Sequence, residues 1–197
     1  MAPTFVGLTG GISAGKSEAL AAFERAGAAT LASDDVVHDL LRDEGLRERL
    51  VERWGEGIAP NGEVDRARVA EIVFERPEEL AWLEAEVHPL VADRFAAWRA
   101  GLPAGVELAV VEVPLLFETG MESVFDAVVA VVADDRLRED RARGRELAAL
   151  EGRGARQLSQ EEKADRATHV IANDGTLAEL EARIEELVRE LTGSGDR

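Results

Sequence analysis

Cysteine is absent from the 197 residues, and lysine occurs only twice, as Lys16 and Lys163. Without cysteine there is no disulfide scaffold, no thiolate metal site and no cysteine nucleophile. The three histidines are scattered, so no zinc site is expected either. No apolar run approaches the roughly 20 residues that span a bilayer. The opening Met1-Ala2-Pro3-Thr4 lacks the basic flank and apolar stretch of a secretory leader, and a cytoplasmic soluble protein is expected. Positive charge is scarce: 23 basic residues face 40 acidic ones, a formal net charge of -17. So acidic a surface repels nucleic acid and anionic membrane, and neither is expected as a partner. An anionic ligand would need basic groups gathered locally.

What is present is a globular composition. At 46% hydrophobic and 32% charged, the chain can bury a real core, as one domain with room for an inserted lobe. Five short runs rich in Val, Ile, Leu and Ala read as strands near Thr4–Thr9, Ala28–Ala32, Glu107–Val113, Ala127–Ala133 and His169–Ala172. Several lack polar alternation, as strands covered on both faces do. Helical stretches alternate with them: Lys16–Ala26, with Leu20 and Phe23 on one face, and Leu177–Leu191, with Leu180, Ile184, Leu187 and Leu191 along one stripe. The pattern predicts an α/β fold with a mainly parallel sheet covered by helices on both faces. The tail from Thr192 is expected to fray.

Two connections are longer than a simple crossover requires. Residues 34–100 are helix-like, with Gly-rich interruptions at Gly55, Gly57 and Asn61-Gly62, and Trp54, Trp82 and Trp98 read mainly as the core of this insert. Residues 134–166 are highly charged and carry seven arginines between 136 and 156, at 136, 138, 141, 143, 145, 153 and 156. Such insertions supply substrate walls and lids, although a charge run is more often a solvated helix.

Gly10-Gly11-Ile12-Ser13-Ala14-Gly15-Lys16-Ser17 fits the G-x-x-x-x-G-K-[ST] phosphate loop, after an apolar strand and before a helix. Glycines let the backbone curl around phosphate oxygens, and the helix adds its positive N-terminal end. Lys16 would reach the β- and γ-phosphates and Ser17 would offer a hydroxyl to Mg²⁺. Glu18 either faces solvent, where the helix dipole favours it, or closes the ATP-binding set. No G-x-G-x-x-G occurs, which argues against a dinucleotide fold. Neither lysine sits in an N-K-x-D guanine-reading motif, so ATP is the expected nucleotide.

The second strand ends at Ser33-Asp34-Asp35, at the strand end that faces the ligand crevice in a parallel sheet. Asp34 could orient or deprotonate an attacking hydroxyl, bind Mg²⁺, or simply cap the next helix. Glu112, at the end of the third strand, could hold metal-bound water opposite Ser17. Pro114 stops that strand, so that Leu115, Leu116 and Glu118 can line the crevice, or the leucines can be ordinary core. His38 reads as a packed or capping residue or a substrate contact, His88 before Pro89 as a helix-boundary or lobe-core residue, and His169 as a surface residue.

Gly10 to Ser17, Asp34 with His38, Gly62-x-Val64-Asp65-Arg66, His88-Pro89-Leu90-Val91, Pro114-Leu115-Leu116-Phe117-Glu118 and Asn173-x-Gly175 occur together and in order. In these the chain resembles the dephospho-CoA kinase family, from about Thr4 to Gly175. The resemblance implies a P-loop nucleoside triphosphate hydrolase-type fold: five parallel strands flanked by helices, with a helical substrate lobe at about 35–100 and a lid at about 135–165. It implies phosphorylation of the ribose 3′-hydroxyl of dephospho-CoA by ATP with Mg²⁺, giving CoA and ADP. The implied catalytic set is Asp34, Lys16 and a lid arginine, Arg141 with Arg143 and Arg145 as alternatives. Gly11, Ile12, Ser13, Ala14, Gly15, Lys16, Ser17, Glu18, Asn173 and Gly175 would bind ATP. Asp34, His38, Arg66, His88, Leu115, Leu116 and Glu118 would face the acceptor, and one insert tryptophan could wall its pantetheine arm. Ser17, Asp34 and, through water, Glu112 would hold the metal. Arg153 and Gln157 fit the lid's trailing pattern. The chain departs from the family at Ala32 and Thr168, where an acid is usual. A monomer is expected.

Overall fold

The computed structural model describes residues 2–143 and 157–193, side chains of 142 and 143 aside. It divides into two compact units: Met1–Ala32 with Arg99–Arg197, and Ser33–Trp98.

The first unit is built on five strands: β1 (Thr4–Gly10), β2 (Ala29–Ala32), β3 (Leu108–Glu112), β4 (Ala127–Val132) and β5 (His169–Ala172). All pair in parallel, in the order β2-β3-β1-β4-β5. The register sets Val6 of β1 between Val110 of β3 and Ala127 of β4, and Leu8 between Glu112 and Val129. Because side chains alternate across a strand, Val6, Leu8, Val110, Val129 and Val131 share one face. They pack against α1 (Lys16–Arg25) through Ala19, Ala22 and Phe23, and against the C-terminal helix through Leu180, Ile184 and Leu187. Each large side chain so buried contributes about 1.5–3 kcal/mol. The alternate residues Phe5, Thr9, Ala109, Val111, Val128 and Ala130 are buried too, which is why these strands read as unbroken apolar runs.

Among the described residues, the further helices of this unit are α6 (Asp135–Arg143), α7 (Gln160–Arg166) and α8 (Leu177–Gly193). Ser159 opens α7 with a capping box to Glu162. Helix α8 continues through Thr192 and Gly193, where fraying was expected, and the Thr192 hydroxyl donates to the Val188 carbonyl. Arg145, Arg153 and Arg156 lie outside the described residues.

The second unit is all helical: α2 (Ser33–Leu40), α3 (Glu44–Trp54), α4 (Arg66–Glu75) and α5 (Pro77–Ala100), whose last two residues belong to the first unit. Asp43 and Asp65 cap α3 and α4 with their carboxylates. Trp54 and Trp82 meet edge to face at 5.3 Å, and the Trp54 indole N–H donates to Glu79 at 2.8 Å. Arg53 also donates twice to Glu79. These bonds hold the Glu79 carboxyl below its ordinary value, against the opposing effect of burial. His88-Pro89, read from sequence as a possible helix boundary, instead lies inside α5. An interior proline costs about 3 kcal/mol, but beyond it Val91 and Phe95 are both buried and repay that cost. Among the described residues, no helix is long and apolar enough to cross a membrane.

Candidate active site

The loop between β1 and α1 adopts backbone conformations that few residues tolerate. Gly10 has φ 152°, and a Cβ there would overlap the Val131 carbonyl of the neighbouring strand. Gly15, which caps α1 without a side chain, has φ 93°, and a Cβ there would overlap the Asn173 amide. Between them Ser13 takes φ 58°, and its buried Oγ has no hydrogen-bond partner among the described residues. Lys16 folds across this curl and donates to the Gly11 carbonyl at 2.9 Å and, more weakly, to Gly10 at 3.4 Å. Ser17 and Glu18 are exposed in the first turn of α1.

Several residues brace the loop from behind. Asn173 is buried just beyond β5 and donates its amide to the Ala14 carbonyl at 2.9 Å. Helix α6 adds two guanidinium groups one turn apart. Arg138 donates to the Ile12 carbonyl at 3.1 Å, and Arg141 to Asn173 at 3.2 Å and Ala14 at 3.5 Å. In a chain of net charge -17, positive charge is thus gathered where the loop curls. Arg141, Ser13, Gly15, Glu18, Asn173 and Gly175 line a cleft of about 310 Å³, with Leu177 and Leu180 as its apolar wall. Arg138 was read only as part of a charge run. Its spacing of three from Arg141 on one helix was the available signal.

At the end of β3, Glu112 is half-buried, and the N–H of the next residue, Val113, donates back to the Leu8 carbonyl at 2.8 Å. Leu115 is half-buried, whereas Leu116 is fully buried against Gly7. Leu116 is therefore core and has no surface to offer an acceptor. Glu118 also departs from the acceptor-lining reading: its carboxylate pairs at 3.0 Å with the fully buried Lys163 and accepts the Leu158 N–H at 2.8 Å. Lys163 further donates to the Pro114 carbonyl. Burial pushes the Lys163 ammonium below the usual lysine range, and Glu118 pulls it partly back.

In the second unit, Asp34 is exposed in the first turn of α2, where a carboxylate gains from the helix dipole. His38 lies one turn further along α2, and its Nδ1 is 3.2 Å from the guanidinium of Arg66, the first residue of α4. The structure thus brings His38 and Arg66 together, from two separate sequence segments. His88 is half-buried within α5. In the first unit, His169 is half-buried rather than on the surface, with Nε2 3.6 Å from Glu190.

With this geometry in view, a family model described as dephospho-CoA kinase matches residues 4–179. The chain belongs to the dephospho-CoA kinase family. It is 36% identical over 192 residues to dephospho-CoA kinase of Brucella melitensis, covering 95% of each chain. A solved structure from Thermus thermophilus superposes with a TM-score of 0.82 at 34% identity, covering 98% of this chain and all of the other. Dephospho-CoA kinase from Campylobacter jejuni, at 23% identity and TM-score 0.71, shares the fold over 96% of this chain. The five-stranded parallel sheet is that of the P-loop kinases. Members of the dephospho-CoA kinase family catalyse the last step of coenzyme A synthesis, and an enzyme of this family uses ATP as a substrate.

Proposed function

We propose that this protein transfers the γ-phosphoryl group of ATP to the ribose 3′-hydroxyl of dephospho-CoA, releasing CoA and ADP, as a monomer in the cytoplasm. The observation that carries the reading is the β1–α1 loop, with its left-handed turns, the unpartnered Ser13 hydroxyl, and Lys16 lying across it. Nothing in an ordinary strand-to-helix turn demands such strain, whereas close approach to phosphate oxygens does. Membership of the family along nearly the whole chain supports the choice of acceptor.

In this reading Lys16 and the loop N–H groups, from residues 11 to 17, bind the β- and γ-phosphates. The cleft beside Arg141, Asn173 and Gly175 takes the rest of the nucleotide. The acceptor's 3′-oxygen attacks the γ-phosphorus as the bond to the β–γ bridging oxygen breaks; the proton passes to Asp34 and the bridging oxygen leaves on ADP. Arg66 and His38 bind the acceptor, and Arg66 suits its anionic groups through a planar fork. Residues of about 35–100 form the acceptor lobe, and within about 135–165 the charged stretch ahead of Gln157 acts as a lid that excludes water, while α7 stays packed through its buried Lys163.

Among the described residues, no group of three or more His, Asp or Glu side chains could hold a metal ion unaided. The oxygens of Ser17, Asp34 and Glu112 suit Mg²⁺, an ion that takes few protein ligands and completes its shell with substrate phosphates and water. Such an ion would neutralise charge on the β- and γ-phosphate oxygens. The test is ADP release across hydroxylated acceptors: only dephospho-CoA is expected to stimulate it, and stimulation by a nucleoside or sugar acid instead would replace the acceptor named here.

A further inference from the structure

Lys163, one of only two lysines, is fully buried, while the proposed reaction uses only the other. A buried ammonium is costly unless it is paired and hydrogen-bonded. Among the described residues its partners are the Glu118 carboxylate, whose side chain is 11% exposed, and the Pro114 carbonyl. That carbonyl also accepts from the Thr9 hydroxyl at 3.3 Å and the Gln157 amide at 3.4 Å. The same Gln157 amide donates at 3.2 Å to the carbonyl of Gly10, which Lys16 also reaches. Glu118 in turn accepts the N–H of Leu158, the residue after Gln157, so both ends of the bridge are fixed. The other Glu118 oxygen is buried with no hydrogen-bond partner among the described residues. The pair is therefore poorly compensated if its only task is stability.

We infer that Lys163 is a positioning residue: through the Pro114 carbonyl, Gln157 and Glu118 it fixes the first residue of the phosphate loop against the segment that follows β3. The bonds join positions 43 to 147 residues apart in sequence, at the exits of two neighbouring strands. One exit leads into the loop that carries Lys16. The other follows Glu112. This inference rests on the function proposed above only in taking the loop to bind ATP.

The experiment is calorimetric titration with ATP in the absence of acceptor, alongside melting temperatures and steady-state kinetics. Lys163→Met with Glu118→Leu removes both charges and leaves no buried ion unpaired. The double variant is expected to melt close to the wild type yet bind ATP about tenfold more weakly, the ratio that accompanies loss of one charge-assisted hydrogen bond. KM for the acceptor should not change. Wild-type ATP affinity in that folded variant overturns the inference, since a purely stabilising pair would be replaced without loss. Should the double variant fail to fold, Gln157→Ala reads the same link from a half-buried side chain: weaker ATP binding at unchanged melting temperature supports it, and unchanged binding overturns it. A wild-type protein that binds ATP but phosphorylates no dephospho-CoA would refute the acceptor assignment and leave this result standing.

Discussion

Replacing Gly15 by alanine tests the phosphate loop with one methyl group. Its φ of 93° lies in the left-handed region, where a Cβ costs about 1–2 kcal/mol. The new Cβ would also overlap the Asn173 amide, and moving that amide forfeits its bond to the Ala14 carbonyl, a further 0.5–1.5 kcal/mol or so. Together these make about 2.5 kcal/mol. At 2–4 °C per kcal/mol for a chain of this size, the melting temperature should fall by about 5–10 °C. The loop relieves the strain by turning its N–H groups away from the cradle, so ATP affinity should fall at least about tenfold. Scanning calorimetry and ATP titration read the two effects separately. Adding Asn173→Ala removes the overlap and the bond together, so the double variant should lose less than the sum of the singles. If Gly15→Ala melts and binds ATP like the wild type, the geometric reasoning for the loop is wrong.

Asp34→Asn keeps shape but removes the proton acceptor, so phosphate transfer should fall by about 10²–10⁴-fold while ATP affinity stays near normal. Turnover near that of the wild type would remove Asp34 from its assigned role. Glu79 yields a pH prediction. Hydrogen bonds from Arg53, then from Trp54, hold its folded carboxyl below the ordinary 4.5. Its stabilising contribution is therefore complete above that value and lost as pH falls through the lowered one. In urea unfolding at a series of pH values, the wild-type advantage over Glu79→Gln should shrink under acid. An advantage constant down to pH 3 would contradict this.

The sheet was legible because both faces of each central strand are buried, which turns strands into plain apolar runs bounded by Gly, Pro and acids. β5 was placed to the residue and the others to within a residue at each end. The phosphate loop was legible because its spacing is imposed by backbone conformations that few residues permit. What escaped were the contacts between distant segments. Lys163 has no local pattern that marks it as buried, and only folding brings Glu118 and Pro114 to it. Glu118 looked like a crevice residue because Pro114 ends the third strand on the side that faces the ligand in a parallel sheet. Arg138 and Asn173 reach carbonyls of the loop, and carbonyl partners leave no trace in a side-chain motif. Pro89 misled because local propensity favours a break, whereas burial of Val91 and Phe95 carries the helix onward.

The central claim is that a nucleotide's terminal phosphate, gripped by the loop of residues 10–17, passes to a sugar hydroxyl of dephospho-CoA. The most direct measurement is mass and ³¹P analysis of the product formed from ATP and dephospho-CoA by the purified protein. CoA carrying a new phosphate on the ribose 3′-oxygen, together with an equal amount of ADP, is the predicted result. Tight ATP binding with no acceptor-dependent product would contradict it.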